Sequence, residues 1–135
     1  MTQYVDPSRE NFTVFKALPR DTPIQMLNLI KLRDLAEYPE GHPNHGKGLT
    51  GREAYDIYKA GIAPIIAAAG GGMTWQPPME CTVTGPADEW DEAFVMGYPN
   101  AGAFMAMVKD PHYIADVVPH RTAAVADSRL IRFAG

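Results

Sequence analysis

Hydrophobic and polar positions alternate between two periods along this chain. The run Ile24-Gln25-Met26-Leu27-Asn28-Leu29-Ile30-Lys31-Leu32 is apolar on both of its alternating sets, the pattern of a central strand covered on both faces. Asn28 shares one set with Ile24, Met26, Ile30 and Leu32, and Lys31 shares the other with Gln25, Leu27 and Leu29. Before it, Pro7 to Leu18 predicts a short helix, with Asp6 as cap, Pro7 at the first helical position, and Phe12 and Phe15 on one face. After it, Tyr38 to Leu49 is a glycine- and proline-rich loop, long enough for a lid over a site.

Thr50-Gly51-Arg52-Glu53 has capping-box spacing and predicts a helix start. That helix is expected to run to about Ala69, with Ala54, Tyr58, Gly61, Ile62, Ile65 and Ala69 inward and a kink at Pro64. Gly70-Gly71-Gly72 ends it. Two strands are expected near 74–84 and 90–98, joined by a hairpin turn at Gly85-Pro86-Ala87-Asp88. Asn100 caps the next helix, with Phe104, Met107 and Val108 on one face. Asp110-Pro111 restarts it, and it continues to about Ala126 with a kink at Pro119. A last strand spans 128–133.

The resulting order, βαββαβ after an N-terminal helix, predicts an α+β, ferredoxin-like fold: a four-stranded antiparallel sheet with two helices on one face. One domain of 135 residues is expected, with residues 1–22 as a helical extension and 23–135 as the core. An apolar second sheet face requires cover, which a homodimer packed sheet to sheet supplies.

Composition narrows the function classes. Twelve basic against sixteen acidic residues leave a net charge of −4, which argues against a nucleic-acid partner. A single cysteine, Cys81, allows no internal disulfide and fits a cytoplasmic location; its sequence neighbourhood has no base, so a buried thiol is expected rather than a nucleophile. The first residues lack the basic start and apolar run of a signal peptide, and no stretch is long and apolar enough for a membrane partner.

Several short motifs occur in a particular order: Met26-Leu27-Asn28-Leu29-Ile30-Lys31-Leu32, Gly51-Arg52-Glu53-Ala54-Tyr55, Gly70-Gly71-Gly72, Glu89-Trp90-Asp91, Tyr98-Pro99-Asn100 with Phe104, Asp110-Pro111-His112-Tyr113, and His120-Arg121-Thr122-Ala123-Ala124. In that order the chain resembles the domain-of-unknown-function family 1330, within the dimeric α/β-barrel superfamily, from about Ile24 to Phe133. The resemblance implies a ferredoxin-like fold and a homodimer, and no particular reaction. Relatives in the wider superfamily include cofactor-free monooxygenases, isomerases, haem enzymes and plain binding proteins.

Arg121 is the leading candidate for chemistry. Helical spacing groups it with Ile114, Val118 and Val125, and an arginine on an apolar face must find an anion or a set of carbonyls. The readings are a ligand carboxylate or similar anion, a structural ion pair with an internal acid such as Asp91 or Asp127, or a long side chain reaching water. Asn28, an amide in an apolar strand, either bonds neighbouring backbone or orients a ligand carbonyl or carboxylate. His120 is the candidate acid or base, because imidazole titrates near neutrality. Tyr55, Trp90, Tyr98 and Tyr113, with Tyr58 beside them, supply aromatic walls for a core, an interface or a planar ligand. His42 and His45 have metal-site spacing, but no further ligands complete a set, so neither metal nor cofactor is expected. The expected function is a pocket for a small organic acid, bound or turned over by cofactor-free acid–base chemistry. A cofactor-free monooxygenase acting on an aromatic substrate and a non-catalytic dimeric binding module are the alternatives.

Overall fold

The computed structural model describes residues 3–135. Helix α1 (Arg9–Ala17) leads into strand β1 (Ile24–Leu32), helix α2 (Gly51–Ala68), and strands β2 (Gly72–Trp75) and β3 (Glu92–Tyr98). Helix α3 (Ala101–Val108), a π-helical turn (Tyr113–Val117), helix α4 (Val118–Ala124) and strand β4 (Val125–Ala134) complete the chain.

The strand order is β2-β3-β1-β4, and every pairing is antiparallel. That order with the βαββαβ sequence of elements defines the ferredoxin-like α+β fold. The register puts Ile24, Met26, Asn28 and Ile30 on the helix side, opposite Tyr98, Met96, Phe94 and Glu92 of β3 and Ala134, Arg132, Leu130 and Ser128 of β4. Ile24, Met26 and Ile30 pack with Tyr55, Tyr58 and Ile62 of α2 in one core. On the opposite face Leu27 pairs with Val95 and Ile131 and is only half-buried. No helix among the described residues is long and apolar enough to cross a membrane.

The capping box forms as its spacing requires. Thr50 Oγ1 accepts from the Glu53 amide, and a Glu53 carboxylate oxygen accepts from the Thr50 amide, each at 3.0 Å. Gly51 is obligatory there, since a Cβ would lie 2.0 Å from the Arg33 carbonyl oxygen. Helix α2 runs through Pro64 and ends at Gly70, whose φ of +79° is the left-handed C-terminal position. Its buried stripe is Ala54, Tyr55, Tyr58, Ile62 and Ile66; Ile65 is only partly buried.

Other expectations are corrected. Ser8, not Asp6, caps α1, accepting from the Asn11 amide at 3.1 Å. Strand β2 stops at Trp75, because Pro77 and Pro78 follow and neither can donate to a ladder. Residues 76–91 are therefore irregular, so the expected hairpin turn at 85–88 joins no strands; the turn there is closed by the Glu89 amide on the Pro86 carbonyl at 3.4 Å. Cys81, in that segment, is exposed rather than buried.

The expected continuous helix over 111–126 is broken in two ways. The π turn, with the Val118 amide bonded to the Tyr113 carbonyl, inserts a wider turn and shifts the inward face by one residue. Tyr113 and Val117 are buried while Ile114 is exposed. Pro119 sits in the first turn of α4, where a missing amide hydrogen costs no helix bond. The chain leaves the helix at Ala124, so β4 begins three residues earlier than expected.

Candidate functional site

Between the helix side of the sheet and the helices lies a cavity of about 810 Å³, within the roughly 300–1,000 Å³ range of small-molecule sites. Its walls come from β1, β3, β4, α2, the α3–α4 region and, unexpectedly, the N-terminal segment from Tyr4 to Phe15. Asn28, Tyr55, Tyr98, Tyr113 and Arg121 all line it.

Arg121 lies one helical turn beyond Val117, so the π turn that moves Val117 inward carries Arg121 with it. Its guanidinium donates to the Val5 carbonyl and, at 3.4 Å, to Ser128 Oγ. No carboxylate among the described residues pairs with it. Asp127 is taken by Arg129 at 2.8 Å, and Asp91 by Lys31 at 3.6 Å. Asn28 donates to the Met26 carbonyl at 3.1 Å while lining the cavity.

The phenols are neutral donors. Burial pushes the pKa of Tyr55 well up, against the pull of Arg121 and Arg52 and with the push of Glu92. Burial raises Tyr58 and Tyr98 as well, with Tyr113 adding to both. Tyr98 Oη donates to Met107 Sδ at 4.0 Å. None of these three hydroxyls serves as a phenolate near neutral pH. Each can donate to an anion.

Two expected site residues lie elsewhere. Trp90 precedes β3 and is not in the cavity wall; it lies behind Arg129, a wall residue whose guanidinium stands 5.3 Å from the Trp90 ring. His120 faces the 38–49 loop: its Nδ1 is 2.7 Å from Tyr38 Oη, and its ring meets His42 edge-on at 5.3 Å. Burial and the neighbouring His42 lower its pKa, with Asp116 acting in the opposite sense. His45 Nδ1 bonds the Tyr38 carbonyl oxygen at 2.8 Å. The loop is therefore fastened to α4 and contributes nothing to the cavity wall; the N-terminal segment holds the place expected for it. Among the described residues no group of three or more His, Cys, Asp or Glu side chains could hold a metal ion.

Sequence reasoning missed Glu92. It lines the cavity, bonds Arg52 at 3.0 Å, and has Lys59 at 3.8 Å. Strand alternation carried the signal, because Glu92, Phe94, Met96 and Tyr98 share a face. The N-terminal wall had no such signal.

The fold and the cavity thus define a ferredoxin-like protein with a largely apolar chamber edged by a few polar groups. The chain belongs to the family of the RPA0582 protein of Rhodopseudomonas palustris, whose crystal structure is described as that of a protein of unknown function. It is 43% identical to that structure, with a TM-score of 0.88 over 99% of this chain and 98% of that one. A methylated form of RPA0582 gives 44% identity and a TM-score of 0.89 over 100% and 96% of the two chains. A looser likeness, at 15% identity and a TM-score of 0.48 over 84% and 97%, is to a dabb family protein with a ferredoxin-like fold from Mesorhizobium loti. No family model and no curated protein matches the chain, so the narrower resemblance to family 1330 stands on the motifs alone.

Proposed function

We propose that this protein binds a small organic acid in the chamber between sheet and helices, with Arg121 as the anchor of the carboxylate. One observation carries the reading: Arg121 reaches the chamber with no acidic partner among the described residues, and its bonds go to a carbonyl and a hydroxyl. A guanidinium keeps its charge, and a carboxylate is a stronger, two-pronged acceptor than either of these groups. Tyr55 and Tyr58, both within reach of the Arg121 charge, support the reading as neutral donors around an anion.

Calorimetric titration with a panel of carboxylates tests it. Arg121→Gln keeps a donor for the Val5 carbonyl and loses the charge. We expect roughly 10–100-fold weaker binding, as for loss of a charged hydrogen bond. Unchanged affinity in Arg121→Gln, or no carboxylate bound by the wild type, refutes the assignment.

We also infer that a second copy covers the outer sheet face. The support is the cross-strand row Val95, Leu27 and Ile131, with the exposed Phe133 beside it. Sedimentation of the wild type as a dimer and of Ile131→Glu as a monomer is the expected result. A monomeric wild type at micromolar concentration overturns it.

A further inference from the structure

We propose that the acid held in the chamber carries a hydrogen-bond donor next to its carboxylate and an apolar body behind it, as in a hydroxy acid with an aryl or hydrocarbon side chain, and that Glu92 receives the donor. This rests on the assignment of Arg121 as anchor and adds a second recognition group and a shape.

The first observation is an orphan acceptor. Glu92 Oε2 bonds Arg52, but Oε1 is buried without any hydrogen-bond partner, and the Lys59 ammonium stands 3.8 Å off. A buried carboxylate oxygen whose only partner is an ammonium beyond hydrogen-bond distance still lacks a hydrogen bond, and such groups call for an explanation. A donor on a molecule in the chamber satisfies it, since Glu92 and Lys59 both line that space.

The second observation is placement. Ile30 is paired with Glu92 on one side and Ser128 on the other, and Ser128 takes a hydrogen bond from Arg121. Two strand spacings separate Glu92 from Ser128 at the backbone, roughly 10 Å, within reach of one small molecule. The Tyr55 phenol feels the charges of both Arg121 and Glu92. The anchor and the orphan acceptor therefore edge the same end of the chamber.

The third observation is the other end. Met26 pairs with Met96 four residues back along β1, about 13 Å from the level of Ile30. Phe15, Phe104 and Met107 line the chamber there. Methionine side chains adapt to irregular apolar shapes. Arg132, at the same level, is already engaged, donating to the Phe15 carbonyl at 3.3 Å and the Pro19 carbonyl at 2.6 Å. An acid bound at the Arg121 end thus directs its remaining atoms into a methionine- and phenylalanine-lined space.

Calorimetry with matched probes separates the parts. The probes are 3-phenylpropanoate, both enantiomers of 3-phenyllactate, and lactate. On the wild type we expect one phenyllactate enantiomer to bind roughly tenfold more tightly than phenylpropanoate, the worth of one charged hydrogen bond. Lactate, lacking the ring, is expected to bind at least tenfold more weakly than phenyllactate. In Glu92→Gln the preference for the hydroxyl shrinks by several-fold. Equal affinity for the phenyl pair in the wild type, with Arg121 dependence intact, overturns the role of Glu92 and leaves the anion site standing. Lactate bound as tightly as phenyllactate overturns the apolar body. Failure of the wild type to bind either phenyl acid overturns the inference, and failure of the wider carboxylate panel overturns the reading beneath it as well. The wild-type comparison needs no variant, so an unstable Glu92→Gln would not blunt the test.

Discussion

His120 and Arg121 are neighbours on one short helix and serve two different regions. About 100° of helical rotation separates adjacent side chains. Arg121 turns to the chamber, where its bonds run to the Val5 carbonyl and the Ser128 hydroxyl. His120 turns to the 38–49 loop, where the Tyr38 hydroxyl and the His42 ring surround it. The loop side is a closed aromatic clasp, reinforced by the Glu37 amide bonded to the Ala123 carbonyl at 2.9 Å. The chamber side has charged groups with bonding capacity left over. The contrast teaches that a near-neutral titratable ring, the usual mark of an acid–base site, can serve as a fastener.

The sharpest way to break that contrast is to damage each side in turn. Tyr55 is essentially fully buried against the core. Tyr55→Ala should cost on the order of 3–5 kcal/mol, the usual loss for removing a buried ring, measured by urea unfolding. A loss under about 1 kcal/mol would mean that the chamber wall is not part of the core. Tyr38→Phe removes the bond to His120 and keeps the ring. About 1 kcal/mol is expected, with carboxylate affinity unchanged; altered affinity would show that the clasp and the chamber are coupled.

The pH response comes next in size. The folded pKa of His120 lies below its ordinary 6.5, so between the two values the unfolded chain binds more protons than the folded protein. Stability is fully retained above about pH 6.5 and declines as pH falls through the folded value. His120→Gln should flatten this decline in a series of melting temperatures from pH 7.5 to 5. An unchanged slope would place the titration elsewhere. A separate decline belongs to Asp127: burial pushes its pKa up, but the Tyr4 and Ser128 amides and Arg129 outweigh that and hold it below 3.8. That contribution is present above pH 3.8 and is lost as pH falls through the folded value, a window that His120→Gln leaves alone.

The smallest effect is expected at the root of the loop. Arg33 and Glu37 are an i,i+4 ion pair at 3.2 Å with the glutamate largely exposed. Glu37→Gln should change stability by less than about 0.5 kcal/mol. A larger loss would show that the clasp depends on this pair as well as on its ring contacts.

Local rules made much of the fold legible. Strand β1 was expected over 24–32 and lies there, because its apolar run is longer than any turn signal inside it. The Thr50 and Asn100 caps were readable because a cap needs only one side chain and the amide three residues on. The strand expected over 74–84 ends at Trp75, because the two prolines that follow cannot donate to a ladder whatever the apolar content beyond them. Among site residues, Asn28, Tyr55, Tyr98, Tyr113 and Arg121 reach the chamber as candidates for binding. Trp90 and His120 do not, since residue type alone does not give direction.

Alternation, capping chemistry and the βαββαβ order determined the order of strands and helices, because those depend on neighbours within a few residues. The composition determined that no internal disulfide forms. The chamber was decided by tertiary structure. A π turn set which way Arg121 points, and a distant N-terminal segment became a wall through bonds such as Ser128 Oγ to the Tyr4 carbonyl, 124 residues away. Glu92 and Arg121 came to edge one end because Ile30 of β1 is flanked by Glu92 of β3 and by Ser128 of β4, whose hydroxyl accepts from Arg121. Such pairings join residues far apart in the chain, where no periodicity reaches.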